Sequence, residues 1–345
     1  MTPDEWREKY EERFCENLSL PYPYVRPAPL WNPSASDDDV LVLADLHEPY
    51  GNQAVFNEVE ESQKDCGVLI VAGDVGDYYS KSRFRKNRAV DFSQEVRAIF
   101  SRLEWMATHW RTVKVMIGNH DNRPEKQLAD LLPPDLLILT EQNLLEHLAS
   151  NFDNIEVVGT QLDHSDIWLS HYYLYNDCLF THAEISRAQK TATLERVSNQ
   201  TRKWAETIGL GEYRAIFQGH NHQDMRTKVG PEYWFMIPTA SNPYSVGMEY
   251  IYSARIQGDP PVCGYTRLRF EGGRLDYNRS HNYVVDHVRR NNGISAVSGA
   301  NTRPGIENRD GDEGGTRLDR EPNGETDPGQ SPCGEIDPVL ETGGW

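Results

Sequence analysis

Apolar residues in this chain come in short unbroken runs, and the runs stop at glycine, aspartate, asparagine or histidine. Residues 40–44 and 67–72 are runs of this kind, and 113–117 is another, interrupted by Lys114. Runs so short, bounded by turn residues, predict buried strands. Between them, 52–64 and 91–110 carry helical spacing, the second through Phe92, Val96, Ile99, Phe100, Leu103 and Met106. Strand, helix, strand in this order predicts parallel strands whose carboxyl ends share one edge of a sheet. Open α/β sheets place ligands and chemistry at that edge.

The alternation continues with helices at 125–132 and 141–150, parted by Pro133-Pro134, and strands at 155–160, 167–173 and 178–181, the last after a turn at Asn176-Asp177. A polar helix over 187–208 leads to strands at 213–218 and 233–237, then to a hairpin at 265–270 and 274–277 that turns at Gly272-Gly273. At the amino end, Thr2-Pro3-Asp4-Glu5 opens a helix to about residue 17. The prolines of 21–33 forbid its continuation and run extended, with their aromatic rings expected to pack on the main domain. Past Asn292 glycine, proline and acidic residues dominate without periodicity, which predicts a disordered acidic tail. The expected organisation is a helix and Pro/aromatic-rich arm at 1–37, one large domain at 38–290 and a tail at 291–345.

Charge narrows what such a domain can bind. The net charge is −18, and although the tail holds eleven Asp and Glu against four Arg, the rest is acidic too. A protein of this kind does not coat nucleic acid by bulk electrostatics, so a phosphate-bearing substrate must be drawn by local charge or by bound metal. The five cysteines are odd in number and form no C-x-x-C, which fits a reducing compartment. The charged amino terminus lacks the pattern of a secretory signal, and no apolar run nears the roughly 20 residues of a membrane helix. The expected protein is soluble and cytoplasmic, with no membrane partner.

Five predicted strand ends carry metal-ligand residue types: Asp45-Leu-His47, Gly73-Asp-Val-Gly-Asp77, Gly118-Asn-His-Asp121, Thr181-His182 and Gly219-His-Asn-His222. Side chains two apart on a strand point the same way, so Asp45 with His47, and His220 with His222, are each expected to aim as a pair. Four histidines, two aspartates and an asparagine suit borderline cations such as Mn²⁺, Fe or Zn²⁺, and disfavour Ca²⁺ or an iron–sulfur cluster.

In this order the five stretches resemble the calcineurin-like metallophosphoesterase superfamily, whose pattern is D-x-H, G-D-x-x, G-N-H-D/E, a lone His, and G-H-x-H. The resemblance spans roughly 38–283. It implies an α/β fold, a four-layer αββα sandwich of two mixed β-sheets flanked by helices. It also implies two divalent metal ions, Mn²⁺ before Fe, Zn²⁺ or Ni²⁺, with Asp45, His47 and His222 holding one, Asn119, His182 and His220 the other, and Asp74 bridging. Two metals about 4 Å apart activate a water and clamp the attacking and leaving oxygens of phosphoryl transfer. His120 would bind no metal but would stabilise developing charge and protonate the leaving oxygen. Asp77 would orient His120, as a carboxylate on the far ring nitrogen does in some family members.

The serine/threonine phosphatase branch has Arg-Gly after the second motif's last Asp and a third motif ending in Glu. Here Tyr78-Tyr79 and Asp121 stand in those places, which puts protein phosphatase activity in doubt and makes the pattern more similar to phosphodiesterase and nuclease branches. The stretch 81–88 adds five cations, Lys81, Arg83, Arg85, Lys86 and Arg88, with Phe84 among them. Beside a metal pair these could hold the phosphates of a nucleic acid or nucleotide, while a solvated loop is the alternative. Lys81, Arg83, Arg85 and, by proximity to His120, Arg123 are therefore candidate substrate contacts. The reading this supports is a phosphodiesterase acting on a nucleic-acid or nucleotide phosphodiester. A phosphomonoesterase on a small molecule or phosphoprotein is one alternative. A non-catalytic interaction module, with protein partners reached through the arm or the tail, is another.

Overall fold

The computed structural model describes residues 3–21, 23–62, 65–82, 90–133, 135–136, 143–159, 172–185, 189–208, 211–245, 248 and 259–285. In chain order the first elements are α1 (Pro3–Leu18), β1 (Ser36–Leu43), α2 (Gln53–Ser62), β2 (Cys66–Ala72), α3 (Phe92–His109), β3 (Thr112–Met116), α4 (Arg123–Ala129), α5 (Leu144–Ala149) and β4 (Ile155–Val158). There follow β5 (Tyr172–Tyr175), β6 (Cys178–Thr181), α6 (Lys190–Ile208), β7 (Ala215–Gln218), β8 (Met225–Val229), β9 (Glu232–Met236), β10 (Gly264–Glu271), β11 (Arg274–Leu275) and β12 (His281–Val284).

Strands β1, β2, β3 and β4 lie side by side and parallel, in register Leu41 to Leu69, Leu69 to Val113 and Val113 to Ile155. Antiparallel β10 borders β1, and β11 and β12 both pair with β10. The second sheet runs β5-β6-β7-β9-β8, with β6, β7 and β9 parallel and its two edge strands antiparallel. Both sheets thus bring the carboxyl ends of their parallel strands to a common edge.

Alternation along β1 explains why its apolar run has no polar gaps. Leu41 and Leu43 face α2 and α3, meeting Val55, Phe56, Ile99 and Leu103. Val40, Val42 and Ala44 face the other way, toward Phe180, Phe217 and Phe235 of the second sheet. Those three rings stack in series, with centroids 5.0 and 4.4 Å apart. On the far side of the second sheet, Leu179, Ile216 and Trp234 meet Leu194 and Val197 of α6. The result is four layers, αββα. A strand covered on both faces is apolar at every position, and each fully buried Val or Leu contributes about 1.5–3 kcal/mol.

The arm is held by its aromatics. Phe14 and Tyr24 both pack edge-on against Phe100 of α3, at 5.9 and 5.5 Å between centroids, and the Tyr24 hydroxyl donates to Glu104. Two strands escape the sequence pattern. Strands β8 and β12 are polar edge strands with exposed positions, so neither shows the apolar run that marks β1 to β3. The strand expected at 167–173 lies mostly outside the described residues, and the described β5 occupies Tyr172–Tyr175. The tail expected at 291–345 is outside them altogether, as are Arg83, Phe84, Arg85, Lys86 and Arg88. No described helix is long and apolar enough to cross a membrane.

Candidate metal centre

The loops that leave the strand ends are built from left-handed backbone. Asp45, His47, Asp74, His220 and His222 have φ of 54°, 50°, 54°, 69° and 53°. A non-glycine residue pays about 1–3 kcal/mol for such a conformation, and it persists where surrounding contacts dictate it. Here backbone bonds dictate it: Asp45 N donates to Gly73 O, His47 N to Asp74 O and Glu48 N to Val75 O, at 3.1, 3.0 and 2.8 Å. The second sheet joins through Ala240 N to Ala44 O at 2.9 Å and Thr239 Oγ1 to Asp45 O at 2.8 Å. This corrects the expectation that strand pleat aims Asp45 with His47 and His220 with His222. Both pairs lie past their strands in left-handed turns, and His220 and His222 serve two different groups of side chains.

Two glycines make room for those groups. A Cβ on Gly118 would lie 2.1 Å from Asp74 Oδ1, and one on Gly73, at φ +87°, would lie 2.4 Å from His182 Nδ1. Both approaches are closer than any side chain permits.

Asp45, His47 and His222 form one group, and Asp74, His182 and His220 a second; within each the ligand atoms lie within 4.8 Å of one another, so each could hold a metal ion. In the first, His222 Nε2 is 3.3 Å from Asp45 Oδ1 and 3.1 Å from His47 Nε2. In the second, His182 Nε2 is 3.1 Å from Asp74 Oδ2. Asp74 Oδ2 is also 3.8 Å from His47 Nε2, which sets this carboxylate between the groups. Asn119 joins the second group, its Oδ1 3.0 Å from His220 Nδ1. A third group, His47, Asp77 and His120, adjoins the first.

Hydrogen bonds fix which nitrogens face the centre. His182 Nδ1 bonds the Ala72 carbonyl at 2.7 Å, so Nδ1 is the donor, and its buried Nε2 faces Asp74 Oδ2. A histidine pinned by a carbonyl on one nitrogen has the other oriented for a metal. His120 Nδ1 sits 2.9 Å from Asp77 Oδ1, while Arg123 Nη2 is 2.9 Å from its Nε2 and Arg123 Nη1 donates to Asp77 O at 2.7 Å. Asp77 Oδ1 is also 3.2 Å from His47 Nδ1.

The field favours cations. Burial works against the charge on Asp74, but His182, His120 and His47 outweigh it and hold the carboxyl well below the usual range. Asp45 is lowered in the same way by His222 and His182, and Asp77 by His120 and His47. Burial disfavours the His182 imidazolium, yet Asp74 and Asp45 push its pKa up to about 10. A field that keeps a proton on a buried imidazole is one that draws a divalent cation. His120 goes the other way: burial first, then the Arg123 guanidinium, push it down to about 4.

Every described candidate is therefore near the centre: Asp45, His47, Asp74, Asp77, Asn119, His120, Arg123, His182, His220 and His222. Lys81 lies in a short 3₁₀ turn at Tyr79–Lys81, in a cleft it shares with Asn119 and Arg123. The sequence reading assigned Asp121 no role, and it has one. Fully buried, it accepts from the backbone N–H of Val75, Gly76 and Gly118 at 3.2, 2.9 and 2.9 Å, tying the second and third motif loops together. Its position one after His120 was visible, but a spacing cannot reveal bonds to backbone 45 and 46 residues away.

The calcineurin-like phosphoesterase family model matches residues 39–253. The chain belongs to the calcineurin-like phosphoesterase family. Similar solved structures include Vps29 of Entamoeba histolytica complexed with Zn²⁺, at 14% identity over 72% of this chain and 98% of that one, with a TM-score of 0.35. An archaeal phosphodiesterase is 12% identical over 72% of this chain and 99% of that one, with a TM-score of 0.32. YfcE, a phosphoesterase from E. coli, is 14% identical over 67% of this chain and 87% of that one, with a TM-score of 0.34. A comparison with curated proteins gave no match.

Proposed function

We propose that this phosphoesterase is a phosphodiesterase acting on a nucleic-acid or nucleotide phosphodiester with two divalent cations, Mn²⁺ foremost. Asp45, His47 and His222 hold one, Asn119, His182 and His220 the other, and Asp74 lies between. The observation that carries this reading is the convergence of those seven residues from five strand ends, with the Asp74 carboxylate set between the two groups. When bound, the two cations supply an activated water and neutralise charge on the phosphoryl group.

The remaining steps fall to side chains. In the free protein Asp77 Oδ1 accepts a hydrogen bond from Nδ1–H of a neutral His120, and Arg123 covers the lone pair on Nε2. An entering phosphate competes for the guanidinium, since charge-assisted bidentate bonds to oxygen are stronger than one to a neutral imidazole. His120 Nε2 is then open to take a proton from solvent and pass it to the leaving oxygen, with Asp77 supporting the imidazolium in between. At the positions where protein phosphatases of this family carry Arg-Gly, Tyr78 is fully buried against Phe92, and Tyr79 packs with Tyr50 and Met248. No phosphate clamp arises there, which favours a diester over a phosphoprotein. Cys15, Cys66, Cys178 and Cys263 are buried free thiols, which supports a reducing, cytoplasmic setting.

Steady-state assay of the Mn²⁺-supplemented protein with bis-p-nitrophenyl phosphate and p-nitrophenyl phosphate separates the readings. The expected result is kcat/KM for the diester above that for the monoester by about tenfold or more. A monoester preference would replace the proposal with a phosphomonoesterase, and inertness toward both would replace it with an interaction module.

A further inference from the structure

We propose that the cleft beside Asn119 seats a second phosphate of the substrate, adjacent to the one hydrolysed, so that the substrate carries at least two phosphates. The inference rests on the phosphodiesterase reading of the same site and adds to it where the rest of the substrate lies.

The cleft has a volume of about 430 Å³ and shares Asn119 and Arg123 with the metal centre. That is well within the range of small-molecule sites. Its far part is made of groups the centre does not use. Lys126 and Gln127 follow Arg123 at helical spacings of three and four, which sets all three on one face of α4. Lys81 and Ser82 line the cleft from the turn after the second motif. The Lys81 ammonium is held 4.3 Å from the centroid of the Phe92 ring, a cation–π contact that fixes its place without neutralising it. Among the described residues no carboxylate pairs with Lys81 or Lys126. Asp130 and Glu184 also line the cleft, so cations exceed carboxylates there by one, in a chain of net charge −18.

A single phosphate on the metals would already be met by Asn119, His120 and Arg123. Two further ammonium groups, a hydroxyl and an amide stand beyond them, with the carboxylates of Asp130 and Glu184 at the same cleft. The two ammonium groups, the hydroxyl and the amide N–H offer charge and hydrogen-bond donors of the kind that bind a phosphate. The same chemistry bears on how so acidic a chain receives a polyanion: Lys81, Arg123 and Lys126, together with cations bound at the centre, would offset the surrounding negative charge locally.

Equilibrium binding by calorimetry tests this on the full chain with Mn²⁺. Thymidine 3′,5′-bisphosphate is expected to bind about tenfold more tightly than either thymidine monophosphate. Lys126→Ala and Lys81→Ala should each erode that preference several-fold and the double variant should abolish it, while Lys126→Arg should restore it. In turnover the same preference should appear in KM, with pTpT or TpTp favoured over TpT. Equal affinity for mono- and bisphosphate, or a preference undiminished in the double variant, would overturn the inference. Thermal melts show whether each variant is folded. If no phosphodiester is hydrolysed the functional reading fails, yet the bisphosphate preference still reports on the cleft by itself.

Discussion

Asp74→Asn is expected to lower phosphodiester turnover about a thousandfold or more, because under the proposed function Asp74 would serve both metals, and metal stabilisation of transition-state charge is worth several kcal/mol. Asp74 is nearly fully buried, lies 3.1 Å from His182 and 3.8 Å from His47, and accepts from His120 N at 2.8 Å through its other oxygen. An amide keeps the shape but removes the charge between the two groups. Thermal melting gives a readout free of catalysis. A ligand that binds only the folded state at 100 times its Kd adds about 2.7 kcal/mol, so Mn²⁺ should raise the melting temperature of the wild type and chelator should reverse the rise. In Asp74→Asn the Mn²⁺-dependent rise should be largely gone. A variant that melts and turns over like the wild type would exclude Asp74 from the centre.

His120→Ala should show the opposite signature, with metals retained and turnover lowered about 10²–10⁴-fold. The side chain faces the first group without belonging to it, its nearest carboxylate oxygen being Asp77 Oδ1 at 2.9 Å and Asp74 Oδ2 lying 4.0 Å from Nε2. If the lost function is proton delivery, the penalty depends on the leaving group. A p-nitrophenolate leaves with little help, whereas a nucleoside alkoxide needs a proton. The loss should therefore be larger for TpT than for bis-p-nitrophenyl phosphate. Equal losses on both substrates would reassign His120 to charge stabilisation alone, and loss of metal would make it a ligand.

Much of this centre was legible in the sequence because strand, turn and ligand share one local signature. The run at 113–117 announces a buried strand and Gly118 announces a close approach, so Asn119 and His120 fall at the sheet edge by necessity. How they divide was not legible, since it depends on Asp77 reaching His120 and on His220 reaching Asn119, contacts between residues 43 and 101 positions apart. Left-handed backbone at Asp45 and His47 was hidden too, because non-glycine residues carry no mark of it. Nothing in the spacing marks Asp121, and only the folded loops show it as a three-donor buried acceptor. Lys126 has no signal in the chain beyond its helical spacing from Arg123, and edge strands β8 and β12 lack the apolar runs by which the others were found.

The account turns on the number of cations the chain binds. Elemental analysis of protein reconstituted with Mn²⁺ and freed of excess metal should find two equivalents per chain in the wild type and fewer than two in Asp74→Asn. A wild-type chain that retains no metal, with its melting temperature unmoved by Mn²⁺, Zn²⁺ or Fe²⁺, would contradict it.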